Sequence, residues 1–219
     1  MPGILVAAEL PTKGGEVREK VLNHLSGISK YARENEPGVT KYMICVPSDP
    51  TDTKTVWAFE AYADQAILDA HMAAPLVKDL VEYMTTQAPL EAAPTIRTLS
   101  WIDGMTFTKP EANEQNDRHI VFTSIEFIPG ERDEALKYWK VIVDSSKDES
   151  GTFSCGLLTE EGKSDSLFSL EVYESERFLQ DVHASAAAVQ EMNAKTRHLR
   201  KEMKLAHVKL HAGYVYKKP

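Results

Sequence analysis

The chain is written twice, and a tandem copy constrains the fold more than any single motif. Phe59-Glu60-Ala61-Tyr62-Ala63-Asp64 returns as Leu170-Glu171-Val172-Tyr173-Glu174-Ser175, an offset of 111 from Glu60 to Glu171. Ala70-His71-Met72-Ala73-Ala74 returns as Val182-His183-Ala184-Ser185-Ala186 at offset 112, so one residue has entered between the two blocks. Upstream, Glu36-Pro37-Gly38-Val39 matches Glu149-Ser150-Gly151-Thr152 at offset 113. Blocks in one order at nearly one offset indicate duplication. The stretch 106–117, holding Lys109-Pro110-Glu111-Ala112-Asn113-Glu114-Gln115-Asn116-Asp117, is mostly polar and contains proline, so it reads as a linker. The copies are then 1–105 and 118–219.

Each copy predicts the same order of elements. Ile4–Leu10 and His119–Ile128 have the β-branched and aromatic composition of a first strand. Val17, Val21, Leu25 and Ile28 recur at helical spacing, as do Ala135, Trp139 and Ile142, and these helices stop at Pro37-Gly38 and at Gly151. Hairpins follow at 40–62 and 152–173. A second helical stretch is expected over 65–86, split by Pro75, and over 176–203. Final strands are expected at 95–102 and 206–216. Strand, helix, strand, strand, helix, strand is the ferredoxin-like order, an α+β fold with both helices on one face of an antiparallel sheet. The helix-free faces need cover, and two copies in one chain can supply it sheet to sheet, as an intramolecular dimeric α/β barrel.

Composition removes several function classes. A net charge of −8 repels a phosphate backbone, so no nucleic-acid partner is expected. No run reaches the ~18 apolar residues of a membrane span, and the first residues lack a basic leader. Two cysteines, Cys45 and Cys155, are too few for a disulfide scaffold, so a cytoplasmic location is expected. There is no G-x-G-x-x-G, no phosphate loop ending in Lys-Ser/Thr, no C-x-x-C and no H-E-x-x-H. His207 and His211 share a strand face but lie about 13 Å apart, too far for one ion, and His24, His119 and His198 stand alone. Neither a metal nor a cofactor is therefore expected. The basic residues Lys195, Arg197, Arg200, Lys201 and Lys204 read as a solvated helix face.

The candidates for chemistry recur in both copies. His71 and His183 each follow an aliphatic residue by four and precede Ala74 and Ala186 by three, so an imidazole points inward with space beside it. Its ordinary pKa of about 6.5 suits proton transfer near neutrality; the competing reading is a buried structural histidine. Tyr62 and Tyr173 end the third strand, where a phenol could donate to a substrate oxygen or sit as an amphipathic core residue. Trp57 aligns with Phe168, a flat aromatic position. Trp57, Phe59 and Ala61 share one strand face, and Glu60 and Tyr62 the other. Glu60 and Glu171 must be solvated or paired, and the structural reading is preferred for them.

These blocks resemble the antibiotic biosynthesis monooxygenase family, a dimeric α+β barrel. The resemblance rests on Glu36-Pro37-Gly38-Val39, on Phe59 to Asp64, on Ala70-His71 and on Ala73-Ala74-Pro75-Leu76-Val77. The second copy keeps Glu171, Tyr173 and His183 but lacks the prolines. The resemblance implies a cofactor-free oxygenase acting with O₂ on anthrones or other polyketide phenols of secondary metabolism. His71 would be the base, Tyr62 the oxyanion donor and Trp57 a wall or second donor. His183, Tyr173 and Phe168 would form a second pocket; Phe59, Phe168, Ala74 and Ala186 would contact substrate. The haem-degrading branch places its iron ligand about ten residues after the His71 position, where Val81 and Glu82 stand here, and Asn193 in the second copy. Three alternatives stay open: a lyase, isomerase or cyclase using the same base, a binding protein without chemistry, and a silent second copy. So does a further homodimer.

Overall fold

A computed structural model describes residues 3–113 and 118–217; residues 114–117 of the expected linker lie outside the described residues. The elements are β1 (Ile4–Pro11), α1 (Gly15–Asn35), β2 (Val39–Pro47), β3 (Thr55–Tyr62), α2 (Gln65–Met72), α3 (Pro75–Gln87) and β4 (Thr95–Thr108). They recur as β5 (His119–Phe127), α4 (Arg132–Ser146), β6 (Thr152–Glu160), β7 (Ser166–Tyr173), α5 (Glu176–Phe178), α6 (Ala187–Thr196) and β8 (Arg200–Tyr214). Two ferredoxin-like repeats of α+β class are thus present. No helix among the described residues is long and apolar enough to cross a membrane.

The chain forms two compact units. One runs to Thr98 and resumes at Val208; the other is Leu99–His207. In the first, β3 lies between β1 and β2, both antiparallel to it, so Glu60 sits opposite Val6 on one side and Tyr42 on the other. The end of β8 adds to β2, with Tyr42 opposite Tyr214 and Pro47 opposite Val208. One stripe of α1, Val21, Leu22, Leu25, Ile28 and Ala32, packs against Ile44, Val56, Ala58 and Tyr62. Burying a Leu or Ile side chain contributes about 1.5–3 kcal/mol, so this stripe fixes the helix on the sheet.

In the second unit β7 lies between β5 and β6, with Glu171 opposite Val121 and Cys155. β4 adds to β6, Leu99 opposite Glu160 and Thr108 opposite Ser154. Ala135, Trp139, Ile142 and Val143 of α4 pack with Cys155, Leu157 and Leu167.

Three expectations about elements need correction. Thr106, Phe107 and Thr108, expected in the linker, ladder with Gly156, Cys155 and Ser154, which satisfies their backbone groups and carries β4 beyond residue 102. The helical stretch expected over 176–203 ends earlier. Arg200, Lys201 and Lys204 belong to β8, so the basic residues do not form one helix face. The stretch is also broken without a proline. The residues Leu179–His183 form a π turn closed by Ala184 N–H to Leu179 O at 2.8 Å, before α6 begins. That turn absorbs the single inserted residue, which in a regular helix would rotate His183 by about 100° away from its partner. The break at Pro75 is as expected, with the proline opening α3.

Candidate functional site

His71 is brought to the sheet by the start of its own helix. Asp64 caps α2 by accepting Ile67 N–H at 3.0 Å. Ile67 then lies so close to Gly38 that a Cβ there would stand 2.6 Å from Ile67 Cγ1. The second repeat uses the same device: Ser175 accepts Phe178 N–H, and a Cβ on Gly151 would be 2.5 Å from the Phe178 ring. The missing side chain lets α2 approach the loop that carries Glu36. A Gly38→Ala substitution is expected to push α2 outward and cost about 1–3 kcal/mol, measured as a lower midpoint of denaturant unfolding. An unchanged midpoint would contradict this account of the glycine.

With the helix so placed, His71 Nδ1 meets Glu36 Oε2 at 2.7 Å and Nε2 lies 3.9 Å from Glu60 Oε2. A carboxylate only accepts, so Nδ1 is the donor in the bond to Glu36. Tyr62 donates its hydroxyl to Glu60, and Tyr42 also hydrogen-bonds that carboxyl. Burial pushes the Glu60 pKa up; the bond from Tyr62, the His71 imidazole and the bond from Tyr42 offset only part of this. The His71 ring is tilted against both phenols, at centroid distances of 5.7 Å from Tyr42 and 5.3 Å from Tyr62.

The network borders a cavity of about 330 Å³ enclosed by unit one. Glu60, His71 and Tyr42 supply polar groups to a wall otherwise formed chiefly by aliphatic residues such as Val6, Ala8, Leu25 and Met84. No Lys or Arg lines it. Its outer residues include Met72, Val81 and Ile96, which are exposed.

The second repeat holds the same constellation. His183 Nδ1 meets Glu149 Oε2 at 2.9 Å, Tyr173 donates to Glu171, and the Tyr173 and His183 rings are 5.0 Å apart. Burial lowers the His183 pKa, but the bond to Glu149 and the charges of Glu171 and Glu149 outweigh it, and the net shift is upward. Cys155 takes the place of Tyr42, and Trp139 that of Leu25. The larger indole is packed into the core with Ile142, Val189 and Met192.

The sequence candidates therefore divide. His71 lines the cavity. The Tyr62 hydroxyl is directed at Glu60, and Tyr62 does not line the cavity. Trp57 and Phe59, expected beside substrate, are on the opposite face of β3 by strand alternation, stacked on each other at 5.7 Å. Phe168 likewise stacks on Phe122 at 6.1 Å. Ala74 is buried at the start of α3 and Ala186 half-buried at the start of α6. His119 does not stand alone: its Nε2 is 3.1 Å from His207 Nδ1. Among the described residues no group of three His, Cys, Asp or Glu gathers to hold a metal. Both cysteines are buried and unbridged.

Glu36, Glu149 and Tyr42 were not singled out for function, and Glu60 was preferred as structural. Glu36 and Glu149 were visible as repeated residues; only the fold reveals what they touch.

Residues 3–83 match the family model described as antibiotic biosynthesis monooxygenase. Among solved structures, a provisionally assigned monooxygenase of Fusobacterium nucleatum is similar over 100% of this chain and 99% of its own, with 19% identity and a TM-score of 0.83. A provisionally assigned monooxygenase of Lactobacillus acidophilus is similar over 99% and 100%, with 13% identity and a TM-score of 0.79. An anthrone oxidase-like protein is similar over 100% and 96%, with 15% identity and a TM-score of 0.67. At these identities the likeness is one of fold. No curated protein sequence matches significantly.

Proposed function

We propose, for a chain whose residues 3–83 match the antibiotic biosynthesis monooxygenase family model, that the unit-one cavity is the active site of a cofactor-independent oxygenase. The observation that carries this reading is the imidazole of His71, backed by a carboxylate on Nδ1 and lining an apolar cavity. A cavity of about 330 Å³ is of the size that holds small organic ligands. An apolar wall without a cation, bordered by Glu60, suits an uncharged aromatic such as an anthrone or hydroxylated polyketide, and disfavours a carboxylate.

His71 Nε2 removes a proton from an activated C–H or phenol, and Glu36 steadies the imidazolium that forms. The dry wall excludes water, which strengthens these charges. The substrate anion is electron-rich and reduces O₂ itself. At an activated methylene the balance is CH₂ + O₂ → C=O + H₂O: substrate supplies four electrons, one oxygen atom is retained and the other leaves as water. Tyr42 lines the cavity, and turning its hydroxyl from Glu60 to the substrate would make it the oxyanion donor.

The test is O₂ uptake with a panel of neutral anthrones and hydroxylated aromatics alongside their carboxylated congeners. One O₂ per product, with the carboxylated compounds turned over at least tenfold more slowly, is the expected result. Product without O₂ uptake would replace this reading by an enolising isomerase or cyclase, and tight binding without product by a binding protein.

A further inference from the structure

The glutamates behind the two histidines are held from an unexpected direction. Glu36 follows the last turn of α1, where helix carbonyls lack partners. Lys217 Nζ donates to Glu36 O at 3.0 Å and to Ala32 O at 2.9 Å, while Lys217 N–H donates to Thr40 O at 2.8 Å. Glu149 is treated alike. Lys109 Nζ donates to Glu149 O at 2.5 Å, and Lys109 N–H to Phe153 O at 2.7 Å. Lys217 follows β8 and Lys109 follows β4. The residue that succeeds the last strand of each repeat thus holds the main chain of the other repeat's glutamate, within one compact unit in each case.

We propose that Lys217 and Lys109 are positioning residues for the Glu36–His71 and Glu149–His183 pairs. An ammonium at the negative end of a helix fixes the carbonyls of that turn and, with them, the carboxylate they carry. The backbone N–H of Val39 shares Glu36 O with Lys217, as Thr152 N–H shares Glu149 O with Lys109. The glutamate is therefore held on its main chain by a cation and on its side chain by the imidazole.

The groups that face the first pair are Glu60 and Tyr62 from β3, Tyr42 from β2, Tyr214 from β8, Arg33 from α1 and Lys217. Glu171, Tyr173, Cys155, Thr152 and Lys109 face the second. Positioning and bare charge have opposite signs in this setting. Removing a nearby cation makes an imidazole easier to protonate and raises its pKa. Loosening the glutamate deprives the imidazolium of its carboxylate and lowers it.

The experiment is a histidine titration by NMR on the full-length protein with Lys217→Met, Lys217→Arg and Lys109→Met. Lys217→Met is expected to lower the His71 midpoint and leave that of His183 in place. Lys109→Met should do the reverse, and Lys217→Arg, which keeps donors, should hold the His71 midpoint near its original value. A rise or no change at His71 in Lys217→Met, or an equal shift of both histidines in either variant, overturns the proposal. The expected kinetic effect of Lys217→Met, a roughly ten- to hundred-fold fall in kcat with little change in KM, rests on the reading of His71 as the base. The titration needs no substrate, so a failed oxygenase assay leaves it decisive.

Discussion

Replacing His71 by alanine is expected to reduce kcat/KM by about 10²- to 10⁴-fold, the contribution of a positioned general base. His183→Ala is expected to change it less than about threefold, because the cavity proposed to hold substrate lies in unit one and is lined by His71. The two histidines are otherwise matched: each bonds a glutamate through Nδ1 and lies against the tyrosine that ends the preceding strand. Their difference therefore isolates cavity access from local chemistry. Steady-state kinetics on a substrate found by O₂ uptake would decide it. Equal losses in the two variants would mean that the second repeat also turns over substrate; no loss in His71→Ala would remove the base.

Leu25→Trp is expected to abolish turnover, by more than about a hundred-fold, while the protein remains folded. Leu25 lines the cavity, and its counterpart Trp139 is only 4% exposed in the core of the second unit. The second repeat demonstrates that a helix bearing an indole at this position still packs on its sheet. The first repeat should accept it at an overpacking cost of about 1–3 kcal/mol. Ligand binding by calorimetry and unfolding by denaturant separate the two effects. A folded Leu25→Trp protein with unchanged kcat/KM would place the chemistry elsewhere. The reciprocal Trp139→Leu should leave a void and destabilise unit two by about 3 kcal/mol.

The duplicated chain, its order of strands and helices, and the inward histidines were legible in residue order. Duplication shows as an offset, and secondary structure shows as a period of two or 3.6. The break at Pro75 was legible for the same local reason. The inserted residue between Tyr173 and His183 was visible too, but its accommodation was not. A π turn and a continued helix have the same local composition, and contact with Glu149 favours the one that keeps His183 in place.

Strand alternation had already set Trp57 and Phe59 apart from Glu60 and Tyr62. It could not say which face the helices cover, and the cavity lies on the face of Glu60. Glu36 is 35 residues from His71, and Lys217 is 181 residues from Glu36. Such pairs leave no mark on periodicity or propensity, which act over a few neighbouring residues. What residue order established was the inventory: two matched sets of imidazole, phenol and carboxylate on apolar elements. Which members touch was decided by close packing. A glycine that admits Ile67 and an indole in place of a leucine act only once helix and sheet have met.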